Sequence, residues 1–317
     1  MEKVRVAILD DYQGVALSSA DWGVLQGRTE TAVFQDHLDD EDDVATRLAD
    51  FDVVVAMRER TPFPASLLSR LPRLRLLVTT GAKNASIDVA AARERGITVS
   101  GTGASAAATT ELIWALLMAL VRHIPAEDAT VRAGGWQTRV GRELAGSTLG
   151  LLGLGRLGQA VARYAHVFDM KVLAWSQNLT AEIAAAHGAE LVDKRALFER
   201  SDIVSVHLKL SDRSRGLVGA QELAWLGAEG YLVNTSRGPI VDEAALLAAL
   251  KSGAIAGAGL DVFDVEPLPA DHPLRSAPNT VLTPHIGFVS RESYQRFYAD
   301  VVADIAGWLD GTPMRTL

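Results

Sequence analysis

A run of closely spaced glycines set between a strand and a helix constrains the fold of this chain more than any other feature. Leu149-Gly150-Leu151-Leu152 leads into Gly153-Leu154-Gly155-Arg156-Leu157-Gly158, then into a helical stretch from Gln159 to Phe168 and a further strand at Lys171. The first glycine of such a set permits a tight turn, the second lets a pyrophosphate approach the backbone, and the third lets the helix pack closely on the strand. The helix N-terminus then offers unpaired N–H donors and a positive dipole end to phosphates. A bare G-x-G-x-x-G is weak evidence, but here its strand–turn–helix–strand setting is complete. It places Gly153, Gly155, Arg156, Leu157 and Gly158 against a dinucleotide.

The rest of the chain alternates in the same way. Val4 to Leu9, Val53 to Met57, Leu74 to Thr79 and Ile97 to Ser100 read as strands, with helices at Asp42 to Ala49, Pro64 to Ser69 and Ile87 to Arg95 between them. Strands separated by helices pair in parallel through crossovers. The small-residue break Gly101-Thr102-Gly103-Ala104-Ser105 precedes a long helix from about Ala106 to His123, and the first domain crossing is placed there. A second series of strands follows near Thr148 to Leu152, Lys171 to Trp175, Ile203 to His207, Tyr231 to Asn234, Ala256 to Leu260 and Thr280 to Leu282. Six strands suit a complete dinucleotide fold. Ser290 to Leu309 reads as one amphipathic helix, too short to be a domain, which a chain crossing back near Gly287 would return to the first domain. The fold class expected is therefore α/β. Two doubly wound parallel-sheet domains of Rossmann or flavodoxin type are predicted, with residues 102–286 inserted into a discontinuous domain made of 1–101 and 287–317. The acidic run Asp39-Asp40-Glu41-Asp42-Asp43 reads as a helix start, its carboxylates favoured by the helix dipole.

Composition narrows the chemistry. At 317 residues and 48% hydrophobic the chain can bury a sizeable core. It has no cysteine, which removes disulfides, thiolate metal sites and thiol nucleophiles. A formal charge of -8 disfavours a general nucleic-acid binder. The N-terminus enters a strand-like run without a signal-peptide core, and the apolar stretch Leu112 to Val121 is too short to span a bilayer. A soluble cytoplasmic protein with no membrane partner is expected.

Three downstream segments carry the chemistry: Asn234-Thr235-Ser236-Arg237-Gly238-Pro239, Asp261-Val262-Phe263-Asp264-Val265-Glu266-Pro267, and Thr283-Pro284-His285-Ile286-Gly287. They supply a fixed cation, a carboxylate and an imidazole after the dinucleotide fingerprint, which is what reducing a 2-oxo acid by hydride transfer requires. At the end of the strand after the fingerprint an acidic residue would bind the adenosine ribose of NAD. Here the stretch is Ala174-Trp175-Ser176-Gln177-Asn178, with no carboxylate. Ser176 removes the repulsion that excludes a 2'-phosphate. The cofactor expected is NAD or NADP, with a slight lean to NADP, although no arginine follows at once to hold that phosphate.

Together these segments resemble the D-isomer-specific 2-hydroxyacid dehydrogenase family, which includes glyoxylate/hydroxypyruvate reductases and phosphoglycerate dehydrogenases. The resemblance spans nearly the whole chain and is strongest from Gly153 to Gly287. It implies that Arg237 holds the substrate carboxylate, its planar guanidinium matching a carboxylate in two hydrogen bonds. It implies that His285 is the acid/base residue and Glu266 its partner, fixing the tautomer and favouring the protonated ring. Glutamate at this place also favours hydroxyacid chemistry over the formate dehydrogenase branch, which has glutamine there. Thr235, Asp261 and Gly287 fall at the nicotinamide end of the cofactor, and His207, Lys209 and Ser211 on the loop passing the adenosine. Lys209 stands where the family usually has proline, which places a cation near a 2'-phosphate. Thr80-Gly81-Ala82-Lys83-Asn84 matches the loop that meets the substrate carboxylate, with Ala82 and Lys83 as substrate residues and Lys83 replacing a usual glycine. Arg58, Arg60 and Thr61 are expected to line the same cleft. The partner is a small 2-oxo acid, and no metal is called for. A homodimer is implied, with Trp136 to Gly146 and the helix of Trp114 in its interface.

Two other readings remain open on the residues: a dinucleotide-sensing, corepressor-like binding protein, and a methyltransferase-type Rossmann protein. No extended partner-binding tail is visible for the first. The set of Arg237, Glu266 and His285 argues against the second.

Overall fold

Unbroken apolar runs such as Val53-Val54-Val55-Ala56 and Leu76-Leu77-Val78 demand strands covered on both faces, and they form the centre of a parallel sheet. In the computed structural model, which describes residues 2–317, the strands β1 (Val4–Ile8), β2 (Thr29–Val33), β3 (Val53–Ala56), β4 (Leu76–Thr79) and β5 (Thr98–Gly101) are ordered β2-β1-β3-β4-β5. All pair in parallel, with α1 (Glu41–Leu48), α2 (Ala65–Leu68) and α3 (Val89–Glu94) in the crossovers. Asp40 caps α1 by accepting the N–H groups of Asp42 and Asp43, so the acidic run is a helix start.

The second unit, Ala106–Phe288, opens with α4 (Ala107–Val121) and α5 (Ile124–Arg132). Its strands are β6 (Thr148–Leu152), β7 (Lys171–Trp175), β8 (Glu190–Leu191), β9 (Ile203–Val206), β10 (Tyr231–Asn234), β11 (Gly257–Leu260) and β12 (Thr280–Leu282). Between them run α6 (Arg156–Val167), α7 (Ala181–Ala186), α8 (Lys194–Glu199), α9 (Ala220–Leu226) and α10 (Glu243–Ser252). The order β12-β11-β10-β9-β6-β7-β8 is that of a dinucleotide-binding sheet, reversing beside β6. The last helix, α11 (Arg291–Leu309), belongs with the first unit, where Tyr294, Phe297, Tyr298, Val301 and Ile305 are buried.

Two strands depart from the sequence reading. β2 and β8 lie at the edges of their sheets, and their residues Thr29-Glu30-Thr31-Ala32-Val33 and Glu190-Leu191 lack the continuous apolar run that marks a strand covered on both faces. The second sheet therefore has seven strands rather than six. The helix of Trp114 is packed into the second unit. Trp114 is only 6% exposed and its ring lies 4.9 Å from that of Phe168, so this side chain belongs to the core of the second unit. No single helix among the described residues is long and apolar enough to cross a membrane; α4 and α5 pass that test only as a pair bent by 62°.

The end of β1 carries a buried polar cluster that the sequence reading does not anticipate. Asp10, 1% exposed, accepts the Thr61 hydroxyl at 2.7 Å and pairs with His37 Nδ1 at 2.8 Å. A buried carboxylate needs such partners. The hydrogen bond that the His37 ring donates to Asp10 holds the His37 pKa above its ordinary value, against the opposing effect of burial. A histidine raised in the folded state stabilises it most below the unfolded value of about 6.5 and loses that contribution as pH climbs through the folded value. His37→Gln is therefore expected to cost about 1–3 kcal/mol below pH 6 and progressively less in alkali, read as the Tm gap from wild type across a pH series. A gap that widens with pH would contradict it.

Candidate active site

Every loop of interest in the second unit leaves the C-terminal end of a parallel strand, where a dinucleotide fold binds its ligand. The glycine turn follows β6. Gly153 has φ +109°, a conformation side chains rarely adopt, and a Cβ there would lie 2.9 Å from the His207 carbonyl oxygen. A Cβ on Gly158 would overlap the Gly153 carbonyl, which is why helix and strand can close only on glycine. A Cβ on Gly155 would meet nothing within 4 Å, and Gly155 sits at the N-cap of α6 with no side chain capping it. The loop thus presents open space and helix N–H donors where a pyrophosphate would lie, and the residues fit that group. Arg156 is exposed beside it and Leu157 half-buried.

The Gly153 N–H donates to the Trp175 carbonyl at 2.8 Å, joining the glycine turn to the end of β7 and setting Ser176 next to it. After β9, the His207 N–H donates to Leu152 at 2.9 Å. Burial pushes the His207 ring down to a pKa of about 4, so it is neutral at pH 7, and its buried Nε2 has no hydrogen-bond partner among the described residues. Lys209 is exposed, and its carbonyl accepts the Ser214 hydroxyl, which in turn accepts the Ser211 N–H. This turn holds the loop in place without using the lysine ammonium.

The three downstream segments leave β10, β11 and β12, adjacent strands of one sheet. Arg237 follows β10 in extended backbone (φ -149°), its Nη1 donating to the Ser236 carbonyl at 2.7 Å. Ser236 Oγ bonds the Leu208 carbonyl, tying this loop to the one after β9. A Cβ on Gly238 would overlap the backbone of Phe263, so the chain leaving Arg237 lies directly on the segment that leads to Glu266.

His285 has φ +52°, unusual for a residue with a side chain, and the loop that holds it there is anchored by Asp261. Asp261 is 1% exposed; Oδ1 accepts the Thr283 hydroxyl at 2.6 Å and the Ile286 N–H at 2.8 Å, and Oδ2 accepts the Gly287 N–H at 2.8 Å. Burial raises the Asp261 pKa, with these donors and the His285 charge pulling the other way. Both oxygens are therefore engaged within the loop, which makes Asp261 an anchor for His285. Thr235, 8% exposed, lies between Asn234 and Ser236 on the β10 loop.

Glu266 Oε2 meets His285 Nδ1 at 2.5 Å, while Oε1 accepts the Phe263 N–H at 2.9 Å. Burial pushes the Glu266 carboxyl up, but the His285 hydrogen bond and charge, the Phe263 N–H and the charge of Arg237 outweigh it and leave the pKa below the ordinary glutamate value. Glu266 is thus ionised at neutral pH, hydrogen-bonded to His285 and within electrostatic range of Arg237. With Nδ1 bonded to the carboxylate, Nε2 is the ring nitrogen left for a proton transfer.

In the first unit, Arg58 (φ +54°) donates its N–H to the Thr80 hydroxyl and accepts from the Asn84 amide, so its loop and the Thr80–Asn84 loop are joined. Ala82 and Lys83 are exposed on that second loop. Arg60 donates to the Asp10 carbonyl at 3.1 Å and lies 4.5 Å over the Tyr12 ring. Thr61 does not line an opening: it is 4% exposed and its hydroxyl is taken by Asp10.

A parallel sheet with a phosphate-ready glycine turn, and at the same strand-end edge an arginine, a glutamate and a histidine, defines a dinucleotide-dependent oxidoreductase. Residues 114–287 match the model of the D-isomer specific 2-hydroxyacid dehydrogenase NAD binding domain. The glyoxylate reductase of Korarchaeum cryptofilum (strain OPF8) is 38% identical over 268 residues, covering 82% of this chain and 80% of its own. The hydroxypyruvate reductase of Thermotoga maritima is 36% identical over 311 residues, 96% of this chain and 98% of its own. The crystal structure of phosphoglycerate oxidoreductase from Vibrio cholerae o395 superposes with a TM-score of 0.92 at 36% identity, covering 97% of this chain and 99% of that one. The chain belongs to the D-isomer-specific 2-hydroxyacid dehydrogenase family. It is an NAD(P)-dependent oxidoreductase that interconverts 2-oxo and 2-hydroxy acids; a corepressor-like role finds no support among these relatives.

Gly238→Ala is expected to lower stability by about 1–3 kcal/mol in urea unfolding, because the methyl meets backbone that cannot yield cheaply. An unchanged midpoint would show that the Phe263 segment can move.

Proposed function

We propose that this enzyme reduces small 2-oxo monocarboxylates of the glyoxylate and hydroxypyruvate type to D-2-hydroxy acids. The observation that carries this reading is the 2.5 Å contact of Glu266 with His285, in electrostatic range of Arg237 and at the same strand-end edge of the sheet as the glycine turn. When bound, the reduced nicotinamide supplies the hydride. Arg237 binds the carboxylate through its guanidinium fork and draws electron density from the adjacent carbonyl. His285, protonated, donates from Nε2 to the carbonyl oxygen as it becomes an alkoxide. Glu266 holds the ring by Nδ1 and balances its charge. In the reverse direction the same nitrogen accepts the hydroxyl proton.

The dinucleotide domain is taken as residues 102–286 and the substrate domain as 1–101 with 287–317, with Ala82, Lys83 and Arg58 serving the substrate. Ser176 in place of a ribose-binding carboxylate, and the exposed Lys209, favour NADP over NAD. The large apolar side chains Ile124, Val131, Trp136 and Val140, 52% to 95% exposed along α5 and the arm after it, support a homodimer formed on that face.

His285→Ala is expected to lower kcat by about 10²–10⁴-fold with little change in cofactor affinity; near-normal turnover would sink the assignment. A panel of 2-oxo acids with NADH and NADPH, read at the reduced-nicotinamide absorbance, tests substrate class. The same panel on Lys209→Ala should shift preference toward NADH, and an unchanged ratio would remove the lysine from the cofactor site. Light scattering should give about twice the monomer mass for wild type and the monomer mass for a Trp136→Glu, Val140→Glu double variant. A monomeric wild type would refute the dimer.

A further inference from the structure

We infer that Asn234 is a positioning residue for Arg237, setting the guanidinium by clasping the turn that carries it. This rests on the reading of Arg237 as the carboxylate-binding arginine and deepens it. Asn234 is the last residue of β10 and is 1% exposed. Its amide nitrogen donates to the Arg237 carbonyl at 2.9 Å, and its amide oxygen accepts the Ser236 N–H at 3.0 Å. The two bonds point in opposite senses, a donor met by a carbonyl and an acceptor met by an N–H. Of the common side chains of this size, only a primary amide supplies both. Aspartate would keep the second bond and lose the first; leucine would lose both.

Asn234 is itself fixed from the neighbouring strand. Its carbonyl accepts the Asp261 N–H at 3.0 Å, where β10 and β11 run in register as Asn234 beside Leu260. Beyond Arg237 the Ile240 N–H returns to the Arg237 carbonyl at 3.3 Å, so that carbonyl receives donors from both sides. Gly238 on the Phe263 backbone blocks motion in one direction, and the Ser236 hydroxyl on Leu208 limits it in another. The Asn234 amide bonds the backbone of both Ser236 and Arg237. Without its donor, the peptide after Arg237 can rotate and carry the arginine Cα with it. A long side chain magnifies a small rotation at Cα, and a misplacement of about 1 Å at a substrate-binding group can cost about 10²-fold.

Because Arg237 acts first on binding, the effect should fall on substrate and not on cofactor. The test compares Asn234→Asp, Asn234→Ala and Arg237→Ala with wild type. Each is measured for NADH and NADPH affinity by fluorescence, for the affinity of the cofactor-loaded enzyme for oxamate, a non-reducible mimic of a 2-oxo acid, for KM and kcat separately, and for Tm. The expected result is that both Asn234 variants weaken oxamate binding and raise KM by about 10- to 100-fold, while cofactor affinity stays near wild type, Tm falls because the buried Ser236 and Arg237 backbone groups lose their partner, and kcat falls less than KM rises. Oxamate affinity unchanged in the Asn234 variants but lost in Arg237→Ala would overturn the inference and leave the arginine reading intact. A parallel loss of cofactor affinity would also overturn it, by making Asn234 a general support of the strand end. Oxamate binding that survives Arg237→Ala would remove the arginine reading, and this inference with it.

Discussion

The Asp261 carboxylate, closed off from solvent and satisfied by a hydroxyl and two backbone N–H groups, holds the chain in the one course that points His285 at Glu266. A buried charge is costly unless such donors surround it, and a donor left without its acceptor is costly in turn. The loop and the carboxylate therefore each require the other. His285 sits in left-handed backbone that a free loop would leave, since that conformation is unfavourable for a residue with a Cβ. Bonds to Thr283 on one side and to Ile286 and Gly287 on the other bracket the histidine and oppose that relaxation.

The arrangement follows from the sheet. Parallel strands release their loops at one edge, so side chains far apart in sequence emerge together, and neighbouring strands bring neighbouring loops. Arg237, Asp261 and His285 leave three consecutive strands, β10, β11 and β12, while the glycine turn leaves β6, separated from β10 only by β9. Strands buried on both faces give these loops rigid bases. Rigid elements also allow bonds between loops, such as Ser236 to Leu208 and Gly153 to Trp175, to set position instead of merely following it.

What could be read in advance, and what could not, divides along physical lines. Central strands are legible because burial on both faces forces a continuous apolar run, and the glycine turn because sterics leave no other residue for Gly153 and Gly158. Edge strands β2 and β8 escape because one side faces solvent and their composition is mixed. The packing of Trp114 on Phe168 is not legible either, since a helix that is apolar around most of its surface does not announce which side chain meets which. The bond between His37 and Asp10, 27 positions apart, and the anchoring work of Asp261 depend on side chains meeting backbone groups of other loops. No local periodicity encodes those meetings. In Asp261-Val262-Phe263 the carboxylate is visible, but its partners are not.

Charge balance at the strand ends explains why an amide and not a third acid stands at position 234. Asp261 and Glu266 already bring two carboxylates to a region with one guanidinium and one imidazole, and burial raises the Asp261 pKa even with its donors in place. Another ionised group at the end of β10 would compete for Arg237, whose charge is proposed to serve a substrate carboxylate, and would deepen the desolvation cost next to Asp261. It would also face the Arg237 carbonyl as one acceptor facing another. A neutral amide avoids all three costs and still joins the two backbone groups that flank the arginine side chain. The same reasoning separates the roles of the two acids. Glu266, bonded to His285 and within electrostatic range of Arg237, stays ionised and in the proposed mechanism supports the proton-transferring ring, whereas Asp261 anchors the loop that carries it.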